Sequence, residues 1–136
     1  MDEKRILIVE DEPRIALALS RALEHRPPGE YRVEISPMAE TAMSKMQGKP
    51  FDLVVTDMRM PGMGGLALIR HLRQHSPQTS TMLITAFGSP EIKDAAQRLG
   101  ATYLPKPFSL QEFISRVQHI LDYPGPETSN LPRRAG

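Results

Sequence analysis

The sequence predicts a three-layer α/β sandwich, in which a parallel five-stranded sheet lies between two layers of helices. Three observations predict this fold. Five short apolar segments alternate along the chain with five segments of helical periodicity. Three of the apolar segments are continuous, which is typical of parallel strands buried on both faces. Strands that alternate with helices need right-handed crossovers, and these crossovers cover both faces of a parallel sheet.

The predicted strands fall into two kinds. The continuous apolar runs are residues 6–9, 53–55 and 82–84, and residues 101–104 form a weaker fifth strand. Residues 31–35 alternate instead, with Tyr31, Val33 and Ile35 on one side, which indicates a half-covered strand at the edge of the sheet. An edge position for the second strand favours the strand order 2-1-3-4-5.

The predicted helices are recognised by apolar residues spaced three and four positions apart. Their stripes begin at Ile15, Ala39, Leu68, Ile92 and Leu110. The fourth stripe has the smallest side chains, so we expect its helix to be weakly held. Three helix starts are also predicted from capping signals, which are Ser36-Pro37, Ser89-Pro90 and the capping box of Ser109 and Glu112.

The bulk properties narrow the function classes. A chain of 136 residues favours one domain, which we expect over residues 1–122, followed by a flexible Pro/Gly-rich tail or linker over residues 123–136. The net charge of +1 argues against direct nucleic-acid binding by this segment. The absence of cysteine excludes disulfides and thiolate chemistry. No apolar run approaches the roughly 20 residues of a membrane helix, so we expect a cytoplasmic protein without membrane contact.

Chemically active side chains follow the carboxyl ends of the predicted strands. Glu10 and Asp11 follow the first strand, Asp57 the third, Thr85 the fourth and Lys106 the fifth. In the predicted strand order the chain reverses direction between strands one and three, and ligands bind in the crevice at that point. We therefore expect the three carboxylates to lie close together at one edge of the sheet.

Clustered carboxylates repel one another, and a fold tolerates them if a cation lies among them or if some of them are protonated. A small set of oxygen ligands suits Mg²⁺, with Mn²⁺ as the alternative. Lys106 adds a positive charge and Thr85 a hydroxyl donor. This combination suits phosphoryl transfer, which depends mainly on positioning and charge neutralisation. Asp57 would be the nucleophile that accepts the phosphoryl group as an acyl phosphate.

Four stretches, "ILIVEDE", "DLVVTDMRMPGMGG", "MLITAFGS" and "GATYLPKPF", give the chain a family resemblance. In this order and at these separations, the sequence resembles the receiver (REC) domain of bacterial two-component response regulators, over roughly residues 4–122. The resemblance implies a (βα)5 flavodoxin-like sandwich that acts as a phosphorylation-dependent signalling switch. It also implies a regulatory domain, which is no enzyme beyond assisting its own phosphorylation and dephosphorylation.

The resemblance implies a role for each residue of the predicted site. Asp57 would be the phosphoacceptor, and Mg²⁺ would be bound by Asp11, Asp57 and the main-chain carbonyl of Arg59, with Glu10 acting through a coordinated water. Lys106 would contact the phosphoryl oxygens, as would Thr85 in the active state.

The resemblance also implies a switch and partners. Tyr103 matches the aromatic switch position, whose ring turns inward as the Thr85 hydroxyl moves, and Lys106-Pro107 matches a cis peptide. A sensor histidine kinase would supply the phosphoryl group in a two-component system or phosphorelay. The signal would pass to an output domain or a downstream protein, in the manner of transcription regulators. The sequence leaves the oligomeric state open, and if the chain forms a homodimer we expect it to use the face of the fourth helix, fifth strand and fifth helix.

Several alternatives stay open on the sequence. Asp57 by itself is also typical of a turn at the end of a strand, and Tyr103 of plain edge-strand packing. A metal-dependent phosphohydrolase or nuclease wants a second acid two residues after Asp57, where this chain has Arg59, so that class is disfavoured. A phosphorylation-independent interaction module on the same fold is a further alternative. Arg59 and Phe87 should both overhang the site, where Phe87 would hinder an attacking water.

Overall fold

A computed structural model describes residues 3–24, 30–60 and 62–122 of the chain, and the predicted tail over residues 123–136 lies outside them. Strands and helices alternate strictly within these ranges. The strands are β1 (Lys4–Val9), β2 (Tyr31–Ser36), β3 (Leu53–Asp57), β4 (Ser80–Thr85) and β5 (Thr102–Pro105). The helices are α1 (Pro13–Glu24), α2 (Ala39–Met46), α3 (Gly65–His75), α4 (Pro90–Arg98) and α5 (Leu110–Asp122).

The five strands form one parallel sheet in the order β2-β1-β3-β4-β5, which confirms the predicted topology. The register pairs Val9 with Thr56 and Asp57 with Ile84. The carboxyl ends of β1, β3 and β4 therefore lie side by side. The chain reverses between β1 and β3, so the residues that follow these strands flank the crevice where ligands bind in such sheets.

Alternate residues of the central strands point to opposite helical layers. Ile6 and Ile8 belong to a core cluster with residues of α1 and α5, including Leu19, Leu23 and Phe113. The intervening β1 residues face the other layer, where α2 and α3 contribute Ala39, Ala42, Leu68 and Leu72. The central part of each of these strands is therefore apolar on both faces, which is why these strands contain continuous apolar runs in the sequence.

Helix α4 is held by fewer buried side chains than the other long helices. Ala96 is buried, and Ile92 and Leu99 are half-buried against a small cluster around Ile69 and Leu83. Helices α1 and α3 each bury four residues. The expectation that α4 is weakly held agrees with this packing.

Two of the three predicted helix starts are confirmed. The Ser89 hydroxyl accepts a hydrogen bond from the Ile92 N–H at 3.2 Å, and the Ser109 hydroxyl accepts one from the Glu112 N–H at 3.0 Å. The start predicted at Ser36 is wrong. Ser36 is the last residue of β2, where it pairs with Val9, and its hydroxyl donates to the Met38 carbonyl instead. Helix α2 consequently begins at Ala39, without a side-chain cap.

Over the part of the chain that the structure describes, no helix is long and apolar enough to cross a bilayer.

Candidate functional site

The carboxyl edge of the sheet brings four of the predicted site residues together. Asp57 and Thr85 are the last residues of β3 and β4, and both are buried. Glu10 directly follows β1 and is also buried, with 2% of its surface exposed. Lys106 directly follows β5, and its N–H donates to the Thr85 carbonyl at 2.8 Å. That bond fixes the lysine backbone against the end of β4.

Lys106 links the two buried carboxylates. Its ammonium nitrogen lies 2.8 Å from Oδ2 of Asp57 and 3.9 Å from Oε1 of Glu10. The other carboxylate oxygen of Asp57, Oδ1, accepts a hydrogen bond from the Arg59 N–H at 3.2 Å. Asp57 is therefore held from both sides, by an ammonium group across the crevice and by its own loop.

Glu10 is electrostatically under-satisfied. Its Oε2 accepts a hydrogen bond from the Glu12 N–H at 3.1 Å, whereas its buried Oε1 has no hydrogen-bond partner among the described residues. Burial raises the pKa of Glu10 from 4.5 to about 7. The neighbouring Asp57 carboxyl contributes to this rise, while the Glu12 N–H and Lys106 act against it, and the value of about 7 includes all of these effects.

The remaining predicted metal ligands lie at the outer rim. Asp11 and Arg59 are both exposed, unlike Glu10 and Asp57. Across the described ranges, no group of three or more His, Cys, Asp or Glu side chains converges as a metal-binding cluster. The unpartnered buried oxygen of Glu10 is the feature that fits a cation, because a buried carboxylate oxygen without a partner is costly. Its neighbours offer oxygen atoms, the ligands that suit Mg²⁺.

Thr85 and Tyr103 approach the same loop, between β4 and α4. The Thr85 hydroxyl oxygen accepts a hydrogen bond from the Phe87 N–H at 2.9 Å, which leaves its proton for another acceptor. The half-buried Tyr103 ring packs on the cluster beneath α4, and its hydroxyl lies against Gly88. The Lys106–Pro107 peptide bond is cis, as the resemblance implied.

Arg59 and Phe87 contact each other beside the site. The Arg59 guanidinium lies over the Phe87 ring, 4.2 Å from the ring centroid, and Phe87 is 58% exposed. The two residues follow neighbouring strands at the same distance, since each lies two positions after a strand end. This equal spacing on paired strands is the signal in the sequence that could have predicted their contact.

Sequence reasoning missed residues that shape the loop after Asp57. The Glu40 carboxylate accepts a hydrogen bond from the Met63 N–H at 3.1 Å, which ties this loop to α2. Gly65, the first residue of α3, donates its N–H to the Met58 carbonyl at 3.0 Å. A Cβ atom at Gly65 would overlap the Asp57 main-chain carbonyl. Helix α3 can therefore begin directly against the end of β3 because residue 65 has no side chain.

The fold and this site define a class of protein, and comparison with known proteins identifies it. The family profile of the response regulator receiver domain matches residues 6–118. The chain belongs to this family, whose members are regulatory domains of two-component signal transduction and act as phosphorylation-dependent switches.

Individual relatives agree with this assignment. The chain is 33% identical over 132 residues to the uncharacterized transcriptional regulatory protein YkoG of Bacillus subtilis (strain 168), covering 96% of this chain and 57% of YkoG. It is 34% identical over 117 residues to the response regulator ArlR of Staphylococcus epidermidis, covering 85% of this chain and 52% of ArlR. The chain thus spans about half the length of these relatives.

Solved receiver domains share the fold. The non-phosphorylated HemR receiver domain from Leptospira biflexa superimposes with a TM-score of 0.82 at 30% identity, covering 91% of this chain and 98% of that one. A CheY-like receiver domain protein from Methanospirillum hungatei JF-1 gives a TM-score of 0.82 at 28% identity, with coverages of 89% and 95%.

Proposed function

We propose that Asp57 accepts a phosphoryl group from a sensor histidine kinase and that the phosphorylated domain signals through the face of α4, β5 and α5. One observation carries this proposal. The Asp57 carboxylate is buried at the carboxyl edge of the sheet, 2.8 Å from the Lys106 ammonium and beside a second buried carboxylate, Glu10, that has an unpartnered oxygen. Such a site combines a carboxylate nucleophile with a positive charge that can stabilise the oxygens of a phosphoryl group.

Three residues of the site would take part in the transfer of the phosphoryl group from the kinase to Asp57. A carboxylate oxygen of Asp57 attacks phosphorus, a new P–O bond forms, and the P–N bond of the kinase phosphohistidine breaks, with the bonding electron pair passing to the histidine nitrogen. Lys106 would move from the carboxylate to the phosphoryl oxygens, where its charge offsets the negative charge of the transferred group. The Arg59 N–H holds Asp57 in place during the attack.

The metal assignment follows from the donor atoms. We propose Glu10, Asp11, Asp57 and the Arg59 main-chain carbonyl as the residues that hold Mg²⁺, with Mn²⁺ as a substitute and Glu10 acting through water. Bound there, the ion would supply positive charge that neutralises the carboxylates and the incoming phosphoryl oxygens. The unpartnered Oε1 of Glu10 supports this assignment, because the buried oxygen otherwise lacks a partner among the described residues.

The switch would run from Thr85 to Tyr103. A phosphoryl group brings roughly −1.5 to −2 charges and three acceptor oxygens, as Ser and Thr phosphates do. The Thr85 hydroxyl, whose proton is not used in its bond with the Phe87 N–H, would donate to one of these oxygens. Its movement would change the space beside the Tyr103 ring, and therefore the population of the two packings of the α4–β5–α5 face.

The partners follow from that face. A groove on it is lined by side chains of both charges, including Lys93, Glu112 and Arg116, next to Tyr103. We propose this face for an output domain or downstream protein and for a homodimer. Residues 123–136, which lie outside the described residues, would be a flexible tail or a linker. The domain would work in the cytoplasm as a regulatory element, with no catalytic activity beyond its own phosphorylation and dephosphorylation.

The decisive experiment is labelling with acetyl phosphate in the presence of Mg²⁺, followed by intact mass spectrometry. We expect a gain of one phosphoryl group, which is lost in Asp57→Asn and on addition of a chelator. Asp52→Asn is the matched control, since Asp52 lies at the opposite end of β3 and accepts the Arg5 N–H at 2.7 Å. That variant should label as the wild type does.

Two outcomes would contradict the proposal. Labelling that persists in Asp57→Asn would place the phosphoacceptor elsewhere. A folded wild-type chain that gains no phosphoryl group, with acetyl phosphate or with a histidine kinase, would favour the phosphorylation-independent interaction module.

A further inference from the structure

Gly88 and Tyr103 are in closer contact than any residue other than glycine would permit at position 88. Gly88 lies in the loop between β4 and α4. A Cβ atom built on Gly88 would overlap the Tyr103 hydroxyl oxygen, and it would lie 3.0 Å from Cζ of Tyr103 and 3.5 Å from Cγ2 of Thr85. The Tyr103 ring therefore occupies space that is open because residue 88 has no side chain.

The backbone at position 88 does not itself require glycine. Among the described glycines, those with positive φ are Gly62 and Gly100, and Gly88 is not one of them. An alanine could therefore adopt the backbone conformation at this position. The requirement is one of space, and it is specific to the position of the Tyr103 ring.

We propose that Gly88 is a positioning residue of the switch, because the missing Cβ is what allows the Tyr103 hydroxyl to lie against the loop between β4 and α4, close to Thr85. This inference rests on the proposed function and deepens it. Tyr103 is half-buried, and it also lines the groove on the α4–β5–α5 face. A methyl group at position 88 would displace the ring toward that groove, with or without phosphorylation.

The chemistry at Asp57 is separate from this contact. The groups that hold Asp57 are the Lys106 ammonium and the Arg59 N–H, and neither is among the atoms closest to a Cβ at position 88. Gly88→Ala should therefore accept a phosphoryl group at a rate within about threefold of the wild type. The position of the Tyr103 ring should no longer change on phosphorylation in this variant. Phosphorylation and the change of the output face would be uncoupled.

The test uses the full chain with fluorinated tyrosine and ¹⁹F NMR. The chain has three tyrosines, and Tyr103→Phe identifies the signal of Tyr103. We expect the solvent isotope shift of this signal to be small in the wild type and to rise toward that of free fluorotyrosine in Gly88→Ala and in Gly88→Ser. Gly48→Ala is the matched control, because a Cβ there would meet nothing within 4 Å, and it should leave the signal unchanged.

A double-mutant cycle separates this contact from a general effect on the loop. Tyr103→Phe removes the overlapping oxygen, so Gly88→Ala should lower the melting temperature by less than half as much in that background as in the wild type. Equal losses, or a Tyr103 signal unchanged by both Gly88 substitutions, would overturn the inference.

Intact mass on the same samples keeps the two proposals apart. A wild type that does not label would contradict the proposed function, while the ring position in Gly88→Ala would still decide the role of Gly88.

Discussion

Two charged clusters lie at opposite ends of the sheet, and they differ in how their charges are satisfied. At the amino end, the Arg5 guanidinium pairs with Glu34 at 3.2 Å and donates to the Lys49 and Pro50 carbonyls at 2.6 and 2.9 Å. It also lies over the Phe51 ring at 4.2 Å. Glu34 is about one-third exposed, so water shares in its solvation. We call this group the Arg5 cluster.

The site at the carboxyl end is the opposite case. The Glu10 side chain is fully buried, one of its oxygens lacks a hydrogen-bond partner within the described residues, and its carboxylate shares the Lys106 ammonium with Asp57. Both clusters mix acids and bases, but the Arg5 cluster ties loops together with satisfied bonds, whereas the site retains a deficit of positive charge. That deficit supports the proposal that a cation binds there and contributes the missing interactions.

The largest expected effect that distinguishes the two clusters is the pH dependence of the free energy of unfolding, measured in the presence of a chelator. Burial raises the pKa of Glu10 to about 7, above its ordinary 4.5, so the folded state binds this proton more tightly than the unfolded state. The stabilisation is complete below pH 4.5 and is lost as the pH rises through 7. Between pH 5 and pH 8 the free energy of unfolding should fall by ~2 kcal/mol more in the wild type than in Glu10→Gln.

Denaturant unfolding at several pH values measures this difference, and Asp52→Asn serves as the control at the other end of β3. Added Mg²⁺ should restore much of the lost stability of the wild type at pH 8. Parallel pH profiles for the wild type and Glu10→Gln would mean that Glu10 is not under-satisfied in solution.

The second effect concerns the Arg5 cluster. Arg5→Met should lower the free energy of unfolding by about 2 kcal/mol, because it removes bonds to two main-chain carbonyls and one partly buried ion pair. The rate of labelling at Asp57 should stay within twofold of the wild type, since the cluster lies at the other end of the sheet. If Arg5→Met labelled more slowly at Asp57 while its free energy of unfolding was unchanged, the Arg5 cluster would not be independent of the site at the other end of the sheet.

The smallest effect concerns the Arg59–Phe87 pair beside the site. Phe87→Ala should shorten the half-life of the acyl phosphate roughly two- to fivefold, the factor that corresponds to losing an exposed cation–π contact and the shielding of the ring. Phe87→Leu keeps apolar bulk but loses the ring face, so it separates these two contributions. The loss of the phosphoryl group over time, followed by intact mass, measures the half-life. An unchanged half-life in Phe87→Ala would contradict the shielding role.

Much of the fold could be predicted because its signals are local and repeated. The continuous runs of β1 and β3 reflect burial on both faces, and the small side chains of α4 anticipated its sparse burial. The helix start predicted at Ser36 is wrong because Ser-Pro is typical of a helix start, whereas pairing with Val9 across the sheet keeps Ser36 in the strand. Such long-range pairing has no local signature in the sequence.

Some features of the site could likewise be predicted from the sequence, and others could not. The position of Asp57, Glu10 and Lys106 follows from the strand order alone, and the distances to the Lys106 ammonium agree with it. The contact of Gly88 with Tyr103, by contrast, depends on how a loop and an edge strand lie in space. Glycine in a loop has many explanations, so the sequence gives no reason to pair these two residues.

The outer edge of β5 has a consequence for how other proteins can approach this domain. Among the residues that the structure describes, β5 pairs with β4 on one side alone, its last residue is Pro105, and the Tyr103 carbonyl accepts a hydrogen bond from Arg116 at 3.4 Å. A strand added at this edge could not bond to an N–H at Pro105, and the Tyr103 carbonyl already accepts a hydrogen bond from Arg116. Strand addition and edge-to-edge aggregation are therefore disfavoured, and recognition at this margin of the molecule must rely on side chains.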